Sequence, residues 1–311
     1  MAEIGFAAPG RVRRLLESDL VWSFRQSPLV MAAALATVLI AAAALLAPWI
    51  APHNPFDLAS LNLMDALLPP VWEKDGSWAF PLGTDDQGRD LLSGILYGAR
   101  ISLGVGVLVV LFAAALGVAL GLVAGWLGGW VEALIMRVAD VQLSFPAILV
   151  ALLIDGIARS ALPRDLHAQL AIWVIVLAIG LSSWVQYART VRASTLVERS
   201  KEYVQAARVI GVHPARILVS HVLPNVTGPV LVIATIHLAN AIILEATLSF
   251  LGLGMPPTEP SLGTLIRVGN NFLFSGEWWV AVFPGVTLAL LALAVNLLGD
   301  WLRDALDPKL R

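Results

Sequence analysis

The stretch ISLGVGVLVVLFAAALGVALGLVAG, running from Ile101 to Gly125, holds no charged residue in 25 positions. Wound as a helix rising 1.5 Å per residue it reaches about 37 Å, enough to cross roughly 30 Å of hydrocarbon. Ala113, Gly117, Gly121 and Gly125 recur at every fourth position, and Gly98, Ser102 and Gly106 repeat the spacing one stretch earlier. Small residues at i and i+4 form one stripe along a helix and let a neighbouring backbone approach closely. The stripe predicts tight helix packing; a water path along it is the alternative.

Five further stretches have the same character: Leu29 to Ile50, Leu134 to Ile157, Ala168 to Tyr187, Val226 to Leu251 and Trp279 to Trp301. The whole chain agrees with them. Of its 311 residues 58% are hydrophobic and 14% charged, with a mean hydropathy of +0.81, whereas soluble proteins run near 25% charged. The expected fold is therefore all-α: a polytopic membrane protein with six transmembrane helices. The first stretch follows Arg11, Arg13, Arg14 and Arg25, as a cleavable signal would. It exceeds the roughly fifteen apolar residues of a signal core, so it is read as a retained span.

Lysine and arginine are unevenly divided between the two sides. Fourteen fall on the side of the tails, the connection near Arg137 and the segment 189–224, against six on the other. The excess belongs on the cytoplasmic face, which puts both termini there. The resulting division is a cytoplasmic tail at 1–28, a first span at 29–50, an outer segment with an interfacial helix at 51–100, a five-helix core at 101–303 and a tail at 304–311.

Composition excludes several functions. A formal charge of −2 gives no basic balance for nucleic acid. With no cysteine there can be no disulfide, thiolate metal site or thiol nucleophile. The only lysines, Lys74, Lys201 and Lys309, follow Glu73, Ser200 and Pro308, so no GxxxxGK[ST] phosphate loop can be written. If ATP drives this protein, another subunit binds it. Ser182, Ser183 and Ser249 lack a Gly-x-Ser-x-Gly setting, which disfavours a hydrolase.

Few ionisable groups lie inside the spans. Asp140 is expected to pair with Arg137 three residues earlier, and Asp155 and Asp300 sit near span ends, within reach of water. Glu245 lies inside the fifth span, where a carboxylate costs a few kcal/mol; it either faces a cavity on the substrate path or is a hydrogen-bonded packing residue. His237 and Asn240, in the same span, are expected to bond across helices rather than bind metal. On the outer segment, Thr84 with Gln87 has the spacing of a capping box, and the acids there lack the alternate spacing of a calcium loop.

The segment 189–224 carries the mechanism. In Glu202-Tyr-Val-Gln-Ala-Ala-Arg-Val-Ile-Gly211, Tyr203, Ala206, Ala207 and Ile210 recur at helical steps. Gly211 can stop that helix in the left-handed conformation, and Pro214 suits the first turn of a second one. A short helix, a glycine turn and another short helix between two spans read as a docking element. Its small face fits a partner's groove, and Glu202 and Arg208 fix register. Helices lying on the membrane surface are the chief rival.

Gln205-Ala206-Ala207, then Gly211, then Val222-Leu223-Pro224 resemble the cytoplasmic EAA motif of ABC-importer permeases, with Gln205 where the family has glutamate. Pro81-Leu-Gly-Thr-Asp-Asp-Gln-Gly-Arg-Asp90, Tyr97-Gly-Ala-Arg100, Gly125-Trp-Leu-Gly-Gly129, Phe250-Leu-Gly-Leu-Gly-Met-Pro-Pro257 and Gly299-Asp-Trp-Leu-Arg-Asp-Ala-Leu-Asp-Pro308 are similar to the dipeptide/oligopeptide/nickel group of that family. The resemblance implies a type I importer permease of the bacterial inner membrane, taking up di- or oligopeptides or a related small solute. It implies as partners a second permease, two ATPases that carry ATP and Mg, and an extracytoplasmic solute-binding protein, with no cofactor on this chain. Glu202, Tyr203, Gln205, Ala206, Ala207, Arg208 and Gly211 would couple to the ATPases, and Asn240 and Glu245 would lie on the substrate path. The reading from another class is a self-sufficient transporter or channel driven by an ion gradient, for which Glu245 would be the main ionisable group.

Overall fold

The uncharged stretches wind into helices, and the small residues decide which of them touch. The computed structural model describes residues 19–57, 61–256 and 258–306; Arg11, Arg13, Arg14, Pro257, Pro308 and Lys309 lie outside them. In chain order the helices are α1 (Asp19–Gln26), α2 (Pro28–Leu45), α3 (Ala47–Ile50), α4 (Leu91–Leu127), α5 (Gly129–Leu143), α6 (Ala147–Ala161), α7 (Arg164–Gln169), α8 (Ala171–Glu198), α9 (Glu202–Val209), α10 (Pro214–Ile217), α11 (Leu223–Phe250), α12 (Leu262–Asn270) and α13 (Trp279–Leu306). Among the described residues the one β interaction is an isolated bridge between Thr84 and Asp90. Five helices are long and apolar enough to cross a membrane, and α5 with α6 makes a sixth, bent span.

The glycine stripe of α4 is a packing seam against α8. A Cβ on Gly117 would sit 2.5 Å from the Trp184 carbonyl oxygen, and one on Gly121 would sit 2.6 Å from that of Ala188. The two backbones thus meet with no side chain between them, which concentrates dispersion contacts that lipid does not supply. Around the seam, Val105 and Val109 of α4, Ala151 of α6, Ile175 and Ile179 of α8 and Leu248 of α11 form one buried cluster.

The third predicted span is broken. Its two halves, α5 and α6, meet at 94°. Pro146 has no N–H to give a helix and disfavours helical backbone at Phe145. Three more expectations change. Asp140 pairs with Arg189 of α8, not with Arg137, because α5 lies against α8. Asp155 is 2% exposed, held by Arg159 at 2.6 Å with His167 Nε2 3.5 Å away, so water does not reach it. Thr84 caps no helix; it donates to the Asp65 carbonyl oxygen and accepts from Leu68 N–H. Asp90 is the cap of α4, accepting from Ser93 N–H at 2.9 Å, while Asp85 accepts from Gln87 and Arg89 N–H and pairs with the Arg89 guanidinium.

Beyond α11, the short helix α12 folds back between α11 and α13, so tightly that a Cβ on Gly263 would lie 2.3 Å from the Ala246 carbonyl oxygen. At the opposite end of the bundle, Arg199 donates to the Gly125 and Trp126 carbonyls that close α4, where a helix C-terminus favours a cation. Arg192 pairs with Glu132 across the same turn.

Gly121→Val drives a branched side chain into the α8 backbone, and overpacking of this kind costs about 2 kcal/mol or more. The expected result is a lower unfolding midpoint of the detergent-solubilised protein, with Gly129→Ala, where a Cβ meets nothing within 4 Å but φ is +57°, disturbing it less.

Candidate functional site

Two places in this bundle hold the site residues expected from the sequence; a separate cavity of about 640 Å³ lies between Tyr97, Arg100, Ile172 and Glu259. The first is a cavity of about 310 Å³ at the break between α5 and α6, bounded by α8 and α11. Gln142 lies at the break and is fully engaged: its amide nitrogen donates to the Leu181 carbonyl, and its oxygen accepts from Trp184 Nε1 at 2.8 Å. Across the cavity, His237 Nε2 lies 2.7 Å from Gln186 Oε1, and because an amide oxygen only accepts, the imidazole donates there. Ser182 and Ser183 both spend their hydroxyl protons on the Ile179 carbonyl.

Asn240 is exposed on this cavity, well inside a predominantly apolar span. A bare amide against lipid would be costly, and its place on a polar cavity resolves that. Glu245, by contrast, is fully buried and does not line the cavity. Ser249 and Ser102 hydroxyls donate to its two oxygens at 2.7 and 2.8 Å. Each hydroxyl in turn accepts a backbone N–H, from Met255 and Leu262 respectively. The carboxyl therefore ties α4, α11 and the start of α12 together, as a hydrogen-bonded packing residue does. Among the described residues no group of three or more His, Asp or Glu side chains is placed to hold a metal.

The second place is the elbow between α8 and α11. Helix α9 ends in a Schellman turn: Gly211 N–H bonds the Arg208 carbonyl and Val212 N–H the Ala207 carbonyl, with Gly211 at φ +79°. His213 Nδ1 accepts from Ala215 N–H and starts α10 at Pro214. A π-helical turn, Leu218–Val222, then leads directly into α11. Val204 and Ala207 face inward onto Val191, Ile217, Val222 and Val226. Ala207 thus belongs to the elbow's own core and not to an outward small face, because Val204 and Ala207, one turn apart, are the residues that seat α9 on the spans.

What the elbow presents outward is Glu202, Gln205, Ala206, Arg208, Val209, Ile210 and Gly211, with Val209 at 87% and Ile210 at 77% exposure. Tyr203 is half-exposed and braces the element: its hydroxyl donates to Glu198 at the end of α8 and accepts from Asn225 Nδ2 in α11 at 3.0 Å. Desolvation, then the bond to Glu198, raises the phenol's pKa above its usual value. Gln205 donates to the Arg199 carbonyl at 2.8 Å, a bond an ionised glutamate could not make. Arg208 lies over the Trp126 ring, 4.2 Å from its centroid.

Sequence reasoning singled out the elbow and Asn240 but missed Gln142 and Gln186 as cavity residues, and missed Val209. The signal was available in part: Pro146 marks the break, and both glutamines are polar positions in apolar spans.

Membrane-length helices that wall a cavity of mixed polar and apolar lining and carry an exposed elbow have the form of a membrane permease. The family described as the binding-protein-dependent transport system inner membrane component matches residues 117–311, and the N-terminal TM domain of oligopeptide transport permease C matches residues 18–70. The chain belongs to this family of importer permeases. It is 45% identical over 275 residues to the dipeptide transport system permease protein DppC of Escherichia coli K12, covering 88% of this chain and 87% of that one. It is 40% identical over 290 residues to the di/tripeptide transport system permease protein DppC of Pseudomonas aeruginosa UCBPP-PA14, covering 93% and 91%. Inward-facing structures of the MetNI methionine ABC transporter share its fold, with TM-scores of 0.52 and 0.50 at 17% and 19% identity, covering 68% and 69% of this chain and 96% and 95% of theirs.

The protein is accordingly a multi-pass inner-membrane permease of the ABC-importer type and not an enzyme, ATP hydrolysis lying with other subunits. That displaces the ion-gradient alternative.

Glu245→Gln places an N–H donor where two hydroxyls already donate, leaving a buried donor pair opposed at a cost of about 1–3 kcal/mol. The unfolding midpoint should fall while the relative rates for different solutes stay as in the wild type. Gly211→Val, forced into a left-handed conformation, costs roughly 1 kcal/mol or more in local strain. Faster hydrogen exchange confined to the elbow, around residues 202–217, is the expected signature.

Proposed function

We propose that this chain is the second membrane subunit of an importer for di- and oligopeptides and forms the translocation path together with a related permease. The observation that carries the reading is the uncharged polar cavity at the broken span. It occurs in a chain whose relatives are named for dipeptide and di/tripeptide transport. Peptide would pass Asn240 at this level, while Glu245 stays sealed behind it.

Two cytoplasmic ATPases, holding ATP and Mg, engage the elbow. Exposed Ala206, Val209 and Ile210 fill a groove on the ATPase, and Glu202, Gln205, Arg208 and the Gly211 turn set the register. Ala207 and Tyr203 act from behind, fixing the elbow to α8 and α11 so that a push on it moves both spans. Closure of the ATPases shifts the bundle between inward- and outward-facing packings, and an extracytoplasmic binding protein delivers peptide to the outer mouth. Both termini and the elbow lie in the cytoplasm, consistent with the excess of arginine and lysine on that side.

Ile210→Asp should leave the protein inserted and assembled with its partner permease. Stimulation of ATPase activity by peptide-loaded binding protein should fall about tenfold or more, as expected for a charge buried unpaired in an interface. Undiminished stimulation in proteoliposomes would remove the docking role from this face.

A further inference from the structure

The hydrogen-bonding capacity left over in the cavity is more specific than its polarity. Gln142 has both ends of its amide engaged, and Ser182 and Ser183 have spent their protons. Beyond these bonds the wall offers the Asn240 amide, oxygen and nitrogen alike, the nitrogen of Gln186, the second ring nitrogen of His237 and the lone pairs of the two serine hydroxyls. It thus presents both donors and acceptors, the two kinds of partner that the N–H and C=O of an amide group require.

No Asp, Glu, Lys or Arg lines the cavity among the described residues. Asp140 and Arg189, the acid and base that flank it along α5 and α8, are paired with each other. A peptide's termini and charged side chains thus meet no fixed charge of either sign here. A fixed charge would hold opposite residues too long and turn like ones away, and a path must bind weakly enough to release.

Resting on the peptide reading above, we infer that this cavity recognises the peptide bond through neutral amide and hydroxyl groups and is indifferent to the charge of the side chains it passes. Asn240 is the contact residue that faces the path most fully, and selection among peptides by charge lies elsewhere in the complex.

The test uses the complete complex in proteoliposomes with ATP and binding protein. Uptake of dialanine, alanyl-lysine and alanyl-glutamate is normalised to the peptide held by the binding protein, which divides out selection upstream. Wild-type rates should agree within about threefold, since neutral groups discriminate weakly by charge. Asn240→Asp should raise the alanyl-lysine to alanyl-glutamate ratio about tenfold, and Asn240→Lys should lower it by a similar factor, because a charge in a half-dry site acts strongly on another.

Damage to folding would slow all three peptides alike and could not reverse the ratio with the sign of the charge. Ser183→Asp supplies the same test if the Asn240 variants fail to assemble. Unchanged ratios, or a wild type that already prefers one charge tenfold, would overturn the inference while leaving the peptide reading intact. Failure of the wild type to move any of the three peptides would overturn that reading and the inference with it.

Discussion

A backbone inside hydrocarbon must satisfy its own hydrogen bonds, because the solvent offers none. Most of this chain obeys by unbroken helix. The exception is the joint at Ser144, Phe145 and Pro146, where the helical ladder stops within a predicted span and the two halves part at 94°. An interruption of that kind survives only where other polar groups meet it: the Ser144 hydroxyl donates to the Asp140 carbonyl, and the Ser144 and Phe145 N–H groups close tight turns on the Val141 and Gln142 carbonyls. The Gln142 side chain ties the joint to α8, and the cavity lies beside it.

Rigidity and mobility are distributed around that joint. The seam between α4 and α8 brings two backbones into contact over several turns, so those helices travel as one body. One end is fixed by a relay in which backbone N–H groups bond to serine hydroxyls and these to Glu245. At the other end the elbow is seated by Val204 and Ala207 and braced by Tyr203 between α8 and α11. Under the proposed coupling, force applied to the elbow would reach the cavity walls through α8 and α11, the two helices that carry Gln186, His237 and Asn240.

Much of this was legible in the sequence, for identifiable reasons. Uncharged length announced the spans, the four-residue spacing of Gly117, Gly121 and Gly125 announced the seam, and Gly211 with Pro214 announced the turn between α9 and α10. Each of these is a local rule acting over a few residues. What escaped depended on distant partners. Asp140 sits three residues from Arg137 but faces Arg189, and Thr84 has the spacing of a cap but is drawn into bonds with Asp65 and Leu68. Helical periodicity put Ala206 and Ala207 on one face, whereas the spans claim Ala207 and leave Ala206 outside. Glu245 was conspicuous by its cost, and only the arrangement of Ser102 and Ser249 around it shows that the cost is met internally.

The π-helical turn at Leu218–Val222 bears on how the elbow is aimed. One wider turn holds an additional residue relative to α-helical winding, and a single residue corresponds to about 100° of rotation about the axis. Ile217 and Val222, five apart, and Val226, four further on, consequently point the same way into the elbow's core. The angular phase between the elbow and the cavity-lining face of α11 is thus set by the winding of five residues, and shortening that turn by one would swing the elbow around the shaft while leaving each helix intact.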